Sequence, residues 1–145
     1  MPSVIDAYHI AMGELGQQEI KGEVHNPRII EYHKMTTLAA KNDETNWCSA
    51  FVCWCLEQAG IRSTRMANAR SYLNWGNEVA TPYEGCIVVL KRGKEPWQGH
   101  VGFFISIVDD EVLVLGGNQG DRVSVHSFHK SRILAFRETG LPKAA

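Results

Sequence analysis

The sequence has no excess of positive charge: 15 Lys and Arg against 16 Asp and Glu leave a formal charge of −1 over 145 residues. A domain that tracks a phosphate backbone carries a basic face, so nucleic acid is not expected as a partner. There is also no apolar run of the roughly 18 residues a bilayer span requires, so membrane insertion is not expected. The first residues, MPSVIDAYHIAMGELG, hold no basic segment followed by an apolar one and do not read as a secretory signal. Any role outside a cytoplasm is expected to need another export route. No repeat, linker or low-complexity tract interrupts the chain, and its length fits one domain over residues 1–145. Cysteine is scarce, at 4 residues, and a chain of this size builds a core without staples. A disulfide framework is therefore not expected.

The chain divides into a helical front and a strand-rich back. Val4, Ala7, Tyr8, Ala11, Met12 and Leu15 recur at helical spacing, with Ser3 and Asp6 as a start signal and Gly16 as a stop, which predicts an N-terminal helix within residues 1–16. Asn26-Pro27 opens a second helix, Asn as N-cap and Pro at the first turn. A third is expected to be capped by Thr45 or Asn46 and to run to about Ala59, with Gly60 as its stop. A fourth, short one is expected around Ala67–Trp75. Past Pro82 come five runs rich in β-branched and aromatic residues: 86–92, 100–108, 111–117, 122–128 and 132–138. Helices followed by consecutive strands indicate α+β, with the helical half packed on an antiparallel sheet of five to six strands. Residues 138–145 are expected to be a loose tail.

Three of the four cysteines fall within NWCSAFVCWC, residues 46–55. On one helix Cys53 and Cys55 diverge, and Cys48 and Cys55 lie about 10 Å apart, which argues against a disulfide and against a shared zinc. Cys48 is different because it falls in the first turn. Unpaired N–H groups and the positive end of the helix dipole there stabilise a thiolate and can receive an oxyanion. Packing alone remains the other reading of that position. A thiol nucleophile requires a base and an orienting group. His100, in Gln98-Gly99-His100-Val101-Gly102, opens a strand whose return passes through Asp109-Asp110. Folding that hairpin in register brings His100 opposite residue 118 or 119, give or take one, where GGNQG supplies Asn118. Cys48, His100 and Asn118 thus form a candidate catalytic set.

The segments DETNWCSAFVCWCLEQAGI, GHVGFFISI and LGGNQGDRVSV, with the front LGQQEIKGEVHNPRIIEY, resemble the NlpC/P60–CHAP superfamily of cysteine peptidases and amidases, in its small phage-type branch. The resemblance runs over roughly residues 8–137. It implies a papain-like α+β fold, with Cys48 as nucleophile, His100 as base and Asn118 as the third polar residue. Many members carry Glu two positions before the Asn; Gly116 stands there, so Asn118 orients His100 alone or another acid assists. Asp43 and Glu44, just before the nucleophile, are candidates for that charge or for substrate binding. With only these two acids before the Cys, no metal or other cofactor is expected. Trp47 and Trp97, next to the Cys and near the His in sequence, and Gln119 are further candidates for the substrate groove, whereas Trp54, Trp75 and Cys86 read as structural. The implied function is hydrolysis of an amide or peptide bond of the peptidoglycan stem peptide, as in a phage endolysin held in the host cytoplasm until a holin or secretion system releases it. A monomer acting on bacterial peptidoglycan is expected. A zinc-dependent amidase with His and Cys ligands is one competing reading, although His126 and His129, three apart on a strand, face opposite sides and would not chelate together; a non-catalytic wall-binding or phage structural protein is the other.

Overall fold

The computed structural model describes residues 2–20, 25–36 and 47–139. Three helices come first: α1 (Val4–Gly13), α2 (Pro27–His33) and α3 (Cys48–Gln58). A 3-10 turn over Ala69–Asn74 follows, then β1 (Asn77–Glu78), β2 (Ile87–Lys91), β3 (Gly99–Val108), β4 (Glu111–Gly116), β5 (Ser124–His129) and β6 (Ile133–Glu138). The strands form one antiparallel sheet in the order β1-β6-β2-β3-β4-β5. This is the α+β architecture the sequence indicates.

Local chemistry sets the helix starts. Ser3 and Asp6 close a capping box on α1, and the Asn26 side chain accepts the Arg28 N–H at 2.8 Å, ahead of Pro27. Helix α3 departs from expectation. Its N-cap is Trp47, which makes no side-chain capping bond, so Cys48 is the first helical residue. Thr45 and Asn46 lie outside the described residues. The fourth helix is a 3-10 segment, shorter than 67–75. Met12 and Leu15, expected on the buried stripe of α1, are exposed: Leu15 lies past the end of the helix at Gly13, and the face that the helix buries carries Val4, Ala7, Tyr8 and Ala11 but not Met12. Strand β1 was not legible in the sequence: two exposed residues pair with the end of β6 and have no alternation to show. Glu138 belongs to β6, and the Val4 N–H donates to the Thr139 carbonyl, so the expected tail cannot begin at 138; residues 140–145 lie outside the described residues.

The alternation of the central strands separates two apolar clusters. Ile87, Val89, Val101 and Phe103 pack under the helices with Phe51, Val52 and Leu56 of α3. Val88, Leu90, Phe104, Val112 and Val114 form a second cluster on the other face, flanked by Phe128, Ile133 and Phe136. All four cysteines are free and buried. Cys53 and Cys55 lie in the helix-side cluster, where Cys53 Sγ sits 3.1 Å from the Tyr72 hydroxyl.

Candidate active site

Cys48 stands where α3 meets β3. As the first residue of α3, its N–H and that of Ser49 have no intrahelical acceptor, whereas Phe51 N–H already bonds the Trp47 carbonyl. Burial pushes the Cys48 thiol above its ordinary range. Opposing that, the main-chain N–H of Val101, then the Arg92 cation, then the N–H dipoles of Ser49 and Cys48 favour the charged form. The sulfur therefore rests against the backbone step just after His100. It opens to a cleft of about 300 Å³ lined by Cys48, Asn68, Arg92, Trp97 and Gln98 among others.

His100 is reached through the hairpin of β3 and β4. The ladder closes at Val108↔Glu111, and a bulge between Phe104 and Ser106 shifts the register by one before Phe103↔Leu115. Continued past the last pair, that register sets His100 across from residue 118. There the chain leaves the ladder, with Asn118 in the left-handed region at φ 59. The turn hands the next side chain to the imidazole: Gln119 Oε1 lies 2.8 Å from His100 Nε2. Gln119 donates through its amide nitrogen to the Val114 carbonyl at 3.1 Å and the Ser124 carbonyl at 2.7 Å. Both amide hydrogens are thereby committed, so the oxygen must face the ring. Nε2 then carries the proton, and Nδ1 is the basic nitrogen.

Gly116 makes this contact possible. A Cβ there would lie 2.6 Å from Gln119 Oε1 and 3.5 Å from His100 Nε2, so the side-chain volume of residue 116 is taken by the Gln119 amide. Gly117 ties the same loop to α3: a Cβ on it would lie 2.7 Å from Phe51 Cβ and from the Trp47 ring. Backbone and helix start are thus in direct packing contact, with Cys48 beside both residues.

Electrostatics keep the imidazole neutral. Burial lowers the His100 pKa to about 4; the Gln119 bond opposes it, and the Arg92 and Arg132 cations add smaller lowering effects. The thiol and the imidazole approach β3 from its two sides. His100 pairs with Leu90 of the far-face cluster and lies 5.1 Å, centroid to centroid, from the Phe128 ring, while Cys48 packs in the helix-side cluster. No hydrogen bond joins Cys48 to His100 in this structure, and none among the described residues occupies Nδ1.

The remaining sequence candidates separate clearly. Trp97 is 71% exposed and lines the Cys48 cleft. Trp47 is 0% exposed, its indole N–H donating to Glu19 at 2.9 Å. It supports the helix start from beneath and does not wall a groove, a correction that follows from its packing on Gly117 and Tyr32. Gln119 is 5% exposed and held on the imidazole, so the structure moves it from the groove to the orienting position expected of Asn118. Asn118 lines the cleft on the His100 side. Asp43 and Glu44 lie outside the described residues. His126 and His129 go separate ways, one ring against Phe128 and the other bonded to Ser131, and no group of three potential metal ligands occurs among the described residues. Sequence reasoning missed Arg92 and Arg132; their only signal was two cations bracketing the strand run that holds His100.

The CHAP domain family model matches residues 40–118, more than half of the 145-residue chain and the stretch that carries both Cys48 and His100. The chain belongs to the CHAP family. Its six-stranded antiparallel sheet with few helices is consistent with the papain-like fold of that family. CHAP domains are typically cysteine amidases or endopeptidases, and membership implies a peptidoglycan hydrolase-type function here. No curated protein sequence matches the chain.

Proposed function

We propose that this CHAP domain cleaves an amide or peptide bond of the peptidoglycan stem peptide, with Cys48 as nucleophile, His100 as base and Gln119, beside Asn118, as the orienting amide. One observation carries the reading. Cys48 is the first residue of a helix and borders the cleft, and the His100 ring is locked by Gln119 with Nδ1 as its basic nitrogen. In the reaction, Nδ1 takes the thiol proton as sulfur attacks the scissile carbonyl. The Cys48 N–H receives the oxyanion. The imidazolium then protonates the leaving amine, and the neutral ring deprotonates the water that releases the acyl group. Trp97 and Asn68 border the Cys48 cleft and would flank the substrate. The setting we assign is phage lysis, with the protein reaching the wall after release from the host cytoplasm; the likeness of LGQQEIKGEVHNPRIIEY to the phage-type branch supports it.

The elevated thiol favours the second reading, a wall-binding domain with an unreactive Cys48. Cleavage accommodates the elevated thiol because burial penalises an isolated charge. A thiolate and an imidazolium formed together attract each other, so the pair is less costly than either ion alone. The deciding experiment follows turbidity of outer-membrane-permeabilised Gram-negative cells with wild type and Cys48→Ser. Clearing by wild type alone, unaffected by EDTA, supports the thiol reading, and mass spectrometry of the fragments names the bond. Clearing by Cys48→Ser would sink it.

A further inference from the structure

The cleft beside His100 carries a charge pattern that the cleavage chemistry leaves unused. Arg92 and Arg132 line it together with His126, Asn118, Gln119 and Phe128. Among the described residues no acidic side chain lines it and no carboxylate pairs with either guanidinium. This positive concentration is local, because the whole chain carries −1. Arg132 is preset. Its Nε donates to the Lys91 carbonyl at 3.0 Å, and its guanidinium carbon lies 5.1 Å from the Phe128 ring centroid. That anchoring leaves its two terminal nitrogens without a hydrogen bond to the described protein, a planar fork matched to a carboxylate. Arg92 is exposed and borders both this cleft and the Cys48 cleft, so it connects the subsite to the reacting centre. At about 200 Å³ the cleft has room for one side chain and not for a sugar chain.

We infer that Arg92 and Arg132 form a carboxylate subsite next to His100, so that the domain takes stem peptides whose carboxylate is free and discriminates against those in which it is an amide. The inference rests on the proposed stem-peptide substrate for its ligand class, and on the cleft itself for the charge. It also has a consequence for the chemistry. Arg92 and Arg132 both lower the His100 pKa, and a bound carboxylate would offset them, making the imidazole a better base only when substrate is present.

The test uses a soluble stem tetrapeptide with free carboxylates and the same peptide with its carboxylates converted to carboxamides. Binding to the Cys48→Ala protein is measured by calorimetry. The free-acid peptide is expected to bind about tenfold tighter, as for one charge-assisted contact. Arg92→Gln and Arg132→Gln are each expected to remove that preference while leaving amide binding unchanged. Equal binding of the two peptides, no binding of either, or a preference that survives both substitutions would overturn the inference. Arg92 is exposed, so its variant remains informative even where Arg132→Gln, which loses a ring contact, melts early. Wall clearing by wild type is read separately. Clearing without a carboxylate preference removes the subsite alone; a preference without clearing supports the subsite and removes the cleavage reading.

Discussion

Lowering the pH is expected to unfold this protein through His100 more than through any exposed histidine. The ring is buried, its Nε2 is bonded to Gln119, and two cations face it, Arg92 from beyond the end of β2 and Arg132 from the turn before β6. Its pKa is about 4 in the folded state against an ordinary 6.5. Between those values the unfolded chain binds a proton that the folded chain refuses. Stability therefore rises with pH across that window, is complete above about 6.5, and is lost as pH falls through about 4. The gap corresponds to about 3 kcal/mol, a large share of the total stability of a small domain. Urea unfolding of wild type and His100→Gln at pH 7, 6, 5 and 4, read by tryptophan fluorescence, isolates this contribution because other titrating groups are common to both. Wild type should lose about 3 kcal/mol more than the variant between pH 7 and 4. A difference that stays constant with pH would mean that His100 is not held neutral by burial, and the assignment of Nδ1 as a neutral base would fall with it.

Other outcomes follow from the same contacts. Gly116→Glu alone should displace the Gln119 amide and cut turnover, whereas Gly116→Glu with Gln119→Ala should recover part of it and raise the His100 pKa, seen as an upward shift in the acid limb of the pH profile; no recovery would show that position 116 cannot reach the ring. Gly117→Ala should destabilise the fold by about 1–3 kcal/mol in urea unfolding, since its methyl group has only Phe51 and the Trp47 ring to push against. Alkylation of native protein followed by peptide mass mapping should label Cys48 before Cys53, Cys55 and Cys86, because Cys48 borders the cleft of about 300 Å³; preferential labelling of another cysteine would refute that exposure order.

Much of the site was legible because its parts are local in sequence. A helix start marks Cys48, and a single hairpin between Asp109-Asp110 and GGNQG brings the right loop to His100. A one-residue uncertainty remained, since the bulge between Phe104 and Ser106 shifts every later pairing and no propensity announces it. The left-handed turn at Asn118 then decides which amide meets the ring.

The sequence by itself determined the α+β order, the first two helix starts, the packing role of Cys53 and Cys55, and the placement of Cys48 at a helix start. These depend on spacing and local backbone chemistry, which a linear chain already contains. Tertiary structure alone decided that Gln119 occupies the space Gly116 leaves empty, that Trp47 is buried beneath the site, and that Arg92 and Arg132, 40 positions apart, face one cleft with His100. Those are relations between distant segments, fixed by sheet order and by close packing, and no local pattern encodes them.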